Sequence, residues 1–121
     1  MTDFSVRGAN VVVVGAARSG VGAAQLLVTR GARVTLTEQR SEVSLDVRRL
    51  TEVGVELELG GHRTDTLVGA DLIVLSPGVP PTQPVLNAAR ERGVPIISEI
   101  ELASRWVRGR IVAITGTKGK S

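Results

Sequence analysis

Four short stretches carry residue types suited to chemistry, and each follows an apolar run. The first, Gly15-Ala16-Ala17-Arg18-Ser19-Gly20, succeeds four consecutive valines and opens into a helical pattern. A glycine loop feeding a helix N-terminus turns unpaired backbone N–H groups toward an anion, and a phosphate is the natural candidate. Arg18 and Ser19 add a guanidinium and a hydroxyl at the same place. The loop keeps the outer glycines of the dinucleotide fingerprint but has Ala17 at the middle position, where a β-carbon obstructs a pyrophosphate. That weighs against NAD or FAD. The same residues would also serve a tight strand-to-helix turn that binds nothing.

Glu38, Gln39 and Arg40 end a second, alternating run, and Glu38 lies eighteen residues past Gly20. Dinucleotide folds place there the acid that holds a ribose hydroxyl, so the three are candidates for a ribose, a base edge or a phosphate. As ordinary residues of a βα loop they need no ligand. Ser76, Pro77 and Gly78 open the proline-rich SPGVPPTQP segment after a third apolar run. In the usual doubly wound strand order they face the glycine loop across a crevice, and the prolines fix that wall or simply link two elements.

The fourth stretch, Gly116-Thr117-Lys118-Gly119-Lys120-Ser121, also follows an apolar run. Lys120 is placed to reach β- and γ-phosphates and Ser121 to hold Mg²⁺, which makes this an ATP-binding loop with Ser121 as its metal ligand. Ile114 occupies the position of the first glycine in the full phosphate-loop pattern, so the match is incomplete. The sole histidine, His62, sits in a polar loop and reads as a solvated side chain. Trp106 reads as a packing residue at a domain junction.

Positioning these stretches requires alternating strands and helices. Val11 to Val14 can be buried on both faces only as a central parallel strand. Gly20 to Arg30 then places Val21, Ala24, Leu27 and Val28 on one helical face, and Gly31 caps it. Arg33 to Thr37 alternates as a strand. Ser44 starts a helix with Leu45, Val47, Leu50 and Val53 inward, ended by Gly54. Val55 to Leu59 has Glu56 and Glu58 on one face, as an edge strand would. Within Gly60 to Ala70 the TDTLVGA segment suits one helical turn, and Asp71 to Leu75 is a fourth strand. Pro84 starts a helix with Val85, Leu86 and Ala89 inward. Val94 to Ile97 is a fifth strand, Glu99 to Trp106 a short helix and Ile111 to Thr115 a sixth strand. The expected fold is α/β, a Rossmann-like doubly wound sheet of five parallel strands in the order 3-2-1-4-5, followed by the first strand of a truncated second domain. Residues 1–98 form the first domain on this reading, and 99–121 the linker helix, strand and phosphate loop of the second.

Composition narrows the partners. In 121 residues, hydrophobic side chains make up 42% and aromatics 2%, so the core must be aliphatic. Without cysteine there is neither a disulfide framework nor a thiolate metal site, and no run approaches a membrane span or signal peptide. A cytoplasmic location follows as the expectation. The net charge of +3 comes from Arg105, Arg108, Arg110, Lys118 and Lys120, all beyond the last acid, Glu101. A basic tail on an otherwise acidic domain, with so few aromatics, argues against nucleic-acid binding. The residues by themselves leave open a nucleotide-binding domain of an NAD-dependent dehydrogenase and a non-enzymatic nucleotide-sensing module.

Five motifs in one order, VVVVGAARSG, the strand ending in EQR, DLIVLSPGVPPTQPVL, GVPIISEIELASRW and IVAITGTKGKS, resemble the Mur ligases of bacterial peptidoglycan synthesis. SPGVPP followed by a proline-started helix is most similar to the branch that adds D-glutamate. The resemblance implies a three-domain, ATP-dependent, amide-forming ligase whose first domain binds UDP-N-acetylmuramoyl-L-alanine. In that scheme Arg18 and Ser19 meet the diphosphate and uracil region, Glu38, Gln39 and Arg40 the uracil side, and Ser76, Pro77 and Gly78 the opposite wall. Gly116, Thr117, Lys118, Gly119, Lys120 and Ser121 serve ATP and Mg²⁺, with Lys118 where the family usually has Asn. The resemblance further implies a monomer in which an acyl phosphate is attacked by D-glutamate. No complete catalytic set falls within these residues, so the chain alone is expected to be inactive.

Overall fold

The structure, a computed structural model, describes residues 6–105. Five parallel strands form one sheet: β1 (Asn10–Val14), β2 (Arg33–Glu38), β3 (Glu56–Leu59), β4 (Leu72–Leu75) and β5 (Ile96–Ser98), ordered β3-β2-β1-β4-β5. The doubly wound order expected from the alternation is therefore the observed one. Val11, Val12, Val13 and Val14 are all buried, as a strand covered on both faces must be. Alternation sends them to different cores: Val11 and Val13 join Leu72 and Val74 on one face, Val12 and Val14 join Ile73 and Leu75 on the other.

The first face is covered by α1 (Arg18–Thr29), whose Ala24 and Leu27 are fully buried while Val21 and Val28 pack at the margin. It is completed by α2 (Leu45–Arg48) and the 3₁₀ turn Arg49–Val53 that continues it. Helical backbone over 99–105, here α5, adds Leu102 to the same core. The second face is covered by α3 (Thr64–Val68) through Leu67, and by the 3₁₀ turn Pro84–Leu86 with α4 (Asn87–Glu91) through Leu86 and Ala89.

Two expectations need correction. The helix from Ser44 to Gly54 is not uniform. Ser44 does cap it, accepting the Val47 N–H at 3.4 Å, but after one turn it tightens to 3₁₀. Val47 and Leu50, three residues apart, stay inward in the tightened winding, whereas Leu45 is 60% exposed and Val53 52% exposed. Leu45 lies two positions from Val47 and therefore on the opposite side of the turn. Val53 sits where the winding ends at left-handed Gly54. β5 also begins later than the apolar pattern suggests, at Ile96, because Pro95 precedes it and has no N–H for the ladder. β3 is an edge strand with no fully buried residue, as its paired glutamates imply. The sixth strand, Trp106 and the Gly116–Ser121 loop lie outside the described residues.

Candidate functional site

β1 pairs with both β2 and β4, so the chain direction of the crossovers reverses between β1 and β4 and a crevice opens at their carboxyl ends. Sheet registry brings Gly15 beside the end of β4. Ser76 sits directly after that strand, its N–H donating to the Val14 carbonyl at 3.0 Å and its hydroxyl to the Gly15 carbonyl at 2.8 Å. Gly20 closes the same knot. A Cβ there would lie 2.3 Å from the Gly15 carbonyl oxygen and 2.4 Å from Ser76 Oγ, which no side chain can tolerate. The outer glycines of the loop are thus explained by packing: Gly15 at φ 101° makes the turn, and Gly20 lets α1 approach it. Ala17 stands at the helix N-cap without a side-chain cap, and no acid occupies the first turn of α1. The first-turn N–H groups keep their capacity to meet an anion.

The other wall is polar. Glu38, the last residue of β2, is 8% exposed. Its Oε1 accepts the Ala16 N–H at 2.7 Å, and its Oε2 accepts both the Arg40 N–H at 2.9 Å and Arg40 Nε at 3.0 Å. Burial pushes its pKa upward, but the Arg40 hydrogen bonds, the Ala16 N–H and the Arg40 charge outweigh that and hold it below the ordinary carboxylate value. Arg40 keeps most of its side chain in solvent, so the ion pair itself adds little stability. Beyond β3, the loop of Gly60 and Gly61 turns back over this segment. Gly60 donates to the Arg40 carbonyl at 3.0 Å and Gly61 to the Glu38 carbonyl at 3.2 Å. Both glycines have positive φ, 85° and 144°, with no crowding at either Cβ, so the fold needs them for conformation. His62 follows. Far from being solvated, it is half-buried with Nδ1 2.8 Å from Thr37 Oγ1. Burial lowers its pKa, and the Glu38 charge pulls the other way without restoring it.

The residues singled out by sequence therefore fall into different layers. Glu38 and Ser76 are buried and bonded into the walls, whereas Gln39, Arg40, Pro77 and Gly78 are exposed along the rim. Arg18 and Ser19 belong to the first turn of α1. Lys120, Ser121 and the remainder of the phosphate loop lie outside the described residues. Among the described residues, no group of three or more His, Asp or Glu is arranged to hold a metal. Thr37, His62 and the Ala16 N–H were not identified from sequence. A glycine pair directly after a strand and directly before the sole histidine was the available signal.

Two clefts border the sheet. One of about 310 Å³ lies along the ends of β4 and β5, lined by Ser76, Pro77 and Ser98 together with Arg90, Glu99 and Glu101. A larger one of about 710 Å³ lies at the amino ends of the strands, near Asn10, Arg33, Glu56, Gly54 and Gly69. Helices and turns present their C-terminal carbonyls there, at Gly54 and Gly69, which repels a phosphate.

The comparisons assign the fold to a known family. The family model described as Mur ligase MurD-like, N-terminal domain, matches residues 9–98. A UDP-N-acetylmuramoylalanine--D-glutamate ligase of Anaeromyxobacter dehalogenans is 50% identical over 123 residues, covering 100% of this chain and 27% of its own length. The protein of the same name from Desulfatibacillum aliphaticivorans is 48% identical over 120 residues, covering 98% of this chain and 27% of its own. The chain thus spans about a quarter of the length of these curated relatives. A solved pseudomurein peptide ligase type C from Methanothermus fervidus superposes with a TM-score of 0.68 at 24% identity, over 80% of this chain and 20% of its own, and shows the shared fold. With the family model matched across all five strands, the chain belongs to the Mur ligases as a MurD-like N-terminal domain.

Proposed function

We propose that this chain is the UDP-substrate-binding domain, residues 1–98 at its centre, of an ATP-dependent ligase that adds D-glutamate to UDP-N-acetylmuramoyl-L-alanine in peptidoglycan biosynthesis. The first turn of α1, with Arg18 and Ser19, receives the diphosphate. Glu38 orders the uracil side, where Gln39 and Arg40 form the exposed rim, and Pro77 and Gly78 border the ligand from β4. One observation carries the reading: three strand ends converge on a crevice at the N-terminus of α1, whose first turn carries no acid of its own. The names of relatives nearly half identical across the whole chain support the same substrate.

In this reading residues 99–121 lead into the ATPase domain, where Gly116 to Ser121 meet ATP and Ser121 meets Mg²⁺. The protein works as a cytoplasmic monomer, with neither nucleic acid nor membrane as partner. Among the described residues, no helix is long and apolar enough to cross a membrane. Catalysis belongs to the longer ligase, and the 121-residue chain alone does not turn over. Calorimetric titration with UDP and with NADH tests the substrate assignment. UDP binding without an NADH response is expected, and NADH binding without a UDP response would overturn it.

A further inference from the structure

The proline-rich segment after β4 has few means of holding its own shape. Pro77, Pro80 and Pro81 carry no N–H, and its internal hydrogen bonds are two short turns. Val79 N–H donates to the Ser76 carbonyl at 3.1 Å and Gln83 N–H to the Pro80 carbonyl at 3.2 Å. Val79 also packs on Gly15, where a Cβ would come within 2.9 Å of its Cγ2, and against the core of the second face. Apolar packing of this kind is not directional. The directed contact comes from α4. Among the described residues, the one hydrogen bond that reaches residues 77–82 from a helix runs from Arg90 Nη2 to the Pro81 carbonyl. Its base is firm, since Ala89 in α4 and Leu86 just before it are fully buried. Asn87 Oδ1, one turn back on the same helix, accepts Arg90 Nη1 at 3.4 Å and steadies the guanidinium. Arg90 lines the smaller cleft together with Ser76 and Pro77, at the foot of the rim.

We propose that Arg90 is a positioning residue for the substrate, which by holding the Pro81 carbonyl keeps Pro77 and Gly78 where they border the ligand. The proposal rests on the UDP-binding reading above. Gly78 makes such a tether necessary: it has a φ of 93°, and nothing lies within 4 Å of the place its Cβ would take, so packing does not hold it. A rim set before the ligand arrives spares binding the cost of ordering it. Arg90 itself touches no ligand in this scheme.

The test compares this chain with Arg90→Met, which keeps the length of the side chain and removes its donors, and with Arg90→Lys, which keeps the charge and a donor. Without ligand, amide hydrogen exchange at Val79 and Gln83 should quicken about fivefold in Arg90→Met, the worth of one net hydrogen bond, while Ile73 in β4 is unchanged. Calorimetric affinity for UDP should fall by about the same fivefold, and equally at high salt, because positioning is not screened. Arg90→Lys should recover part of both. The denaturant midpoint should stay nearly unchanged, since Arg90 is exposed. Unchanged exchange at Val79 and Gln83 in Arg90→Met would overturn the proposal. So would an affinity loss that disappears at high salt, the mark of a charge acting directly on the ligand, or a midpoint that falls in step with the affinity. Absence of UDP binding in the unaltered chain would instead sink the substrate reading, and this proposal with it.

Discussion

The two walls of the crevice are built on opposite physical terms. Between β1 and β4 the contacts are steric and uncharged: a serine hydroxyl, a carbonyl and a glycine with no room for a β-carbon. Between β2 and β3 they are electrostatic: a buried carboxylate, a guanidinium, a histidine and two loop glycines. The first wall should respond to added volume and ignore pH. The second should respond to charge and tolerate changes of size.

Substitutions that violate these terms give the sharpest contrast. Gly20→Ala has the largest expected effect, a loss of about 3 kcal/mol in urea denaturation, because the new methyl meets backbone as well as Ser76. Adding Ser76→Ala should recover only part of it, since the Gly15 carbonyl remains in the way. Full recovery would show that the wall yields at side chains and is not fixed by backbone. Glu38→Ala comes next. It leaves the Ala16 N–H without its acceptor and should cost about 2 kcal/mol by the same measurement. A cost no larger than that of a surface substitution would mean that water replaces the carboxylate, and the contrast between the walls would weaken.

The smallest effect is the pH dependence. Glu38 and His62 both bind a proton less readily in the folded chain than in the unfolded one, so stability rises with pH across both titrations. The His62 contribution is complete above the ordinary histidine value of about 6.5 and is lost as pH falls past it toward the lower folded value. The Glu38 contribution holds down to the ordinary carboxylate range and is lost as pH falls through its depressed folded value. In His62→Gln the upper part of this slope should flatten in denaturant midpoints taken across the range. In Ser76→Ala it should not change.

The first wall was far more legible in the sequence than the second. Four valines followed by a glycine-bracketed loop state a buried strand and a tight turn through local geometry alone. The strand order follows from the alternation and from the handedness of βαβ crossovers. What distinguishes the layers within the site does not. Glu38 stands at a position that favours a ribose, yet its oxygens are taken by Ala16 and Arg40, a contact across 22 residues that no periodicity reveals. His62 looked solvated because its loop is polar. Its partner, Thr37, lies 25 residues earlier on another strand. Leu45 is exposed for a more local reason: two positions from Val47, it falls on the opposite side of its own helical turn.

The ladder between β1 and its two neighbours also sets a gauge. Val14 is opposite Thr37 on one side and Leu75 on the other, and the residues that follow these partners form the two walls. A strand that slipped by one residue would exchange its side chains between the two differently packed faces, so the next register that keeps each on its own face is two residues away, about 6.6 Å. The height of one wall relative to the other therefore changes in steps too coarse for tuning. A relative that accepted a bulkier or slimmer ligand would keep this spacing and alter the rim, at Gln39, Arg40, Pro77 or Gly78. Selection for a new ligand would show there as substitutions over an unmoved frame.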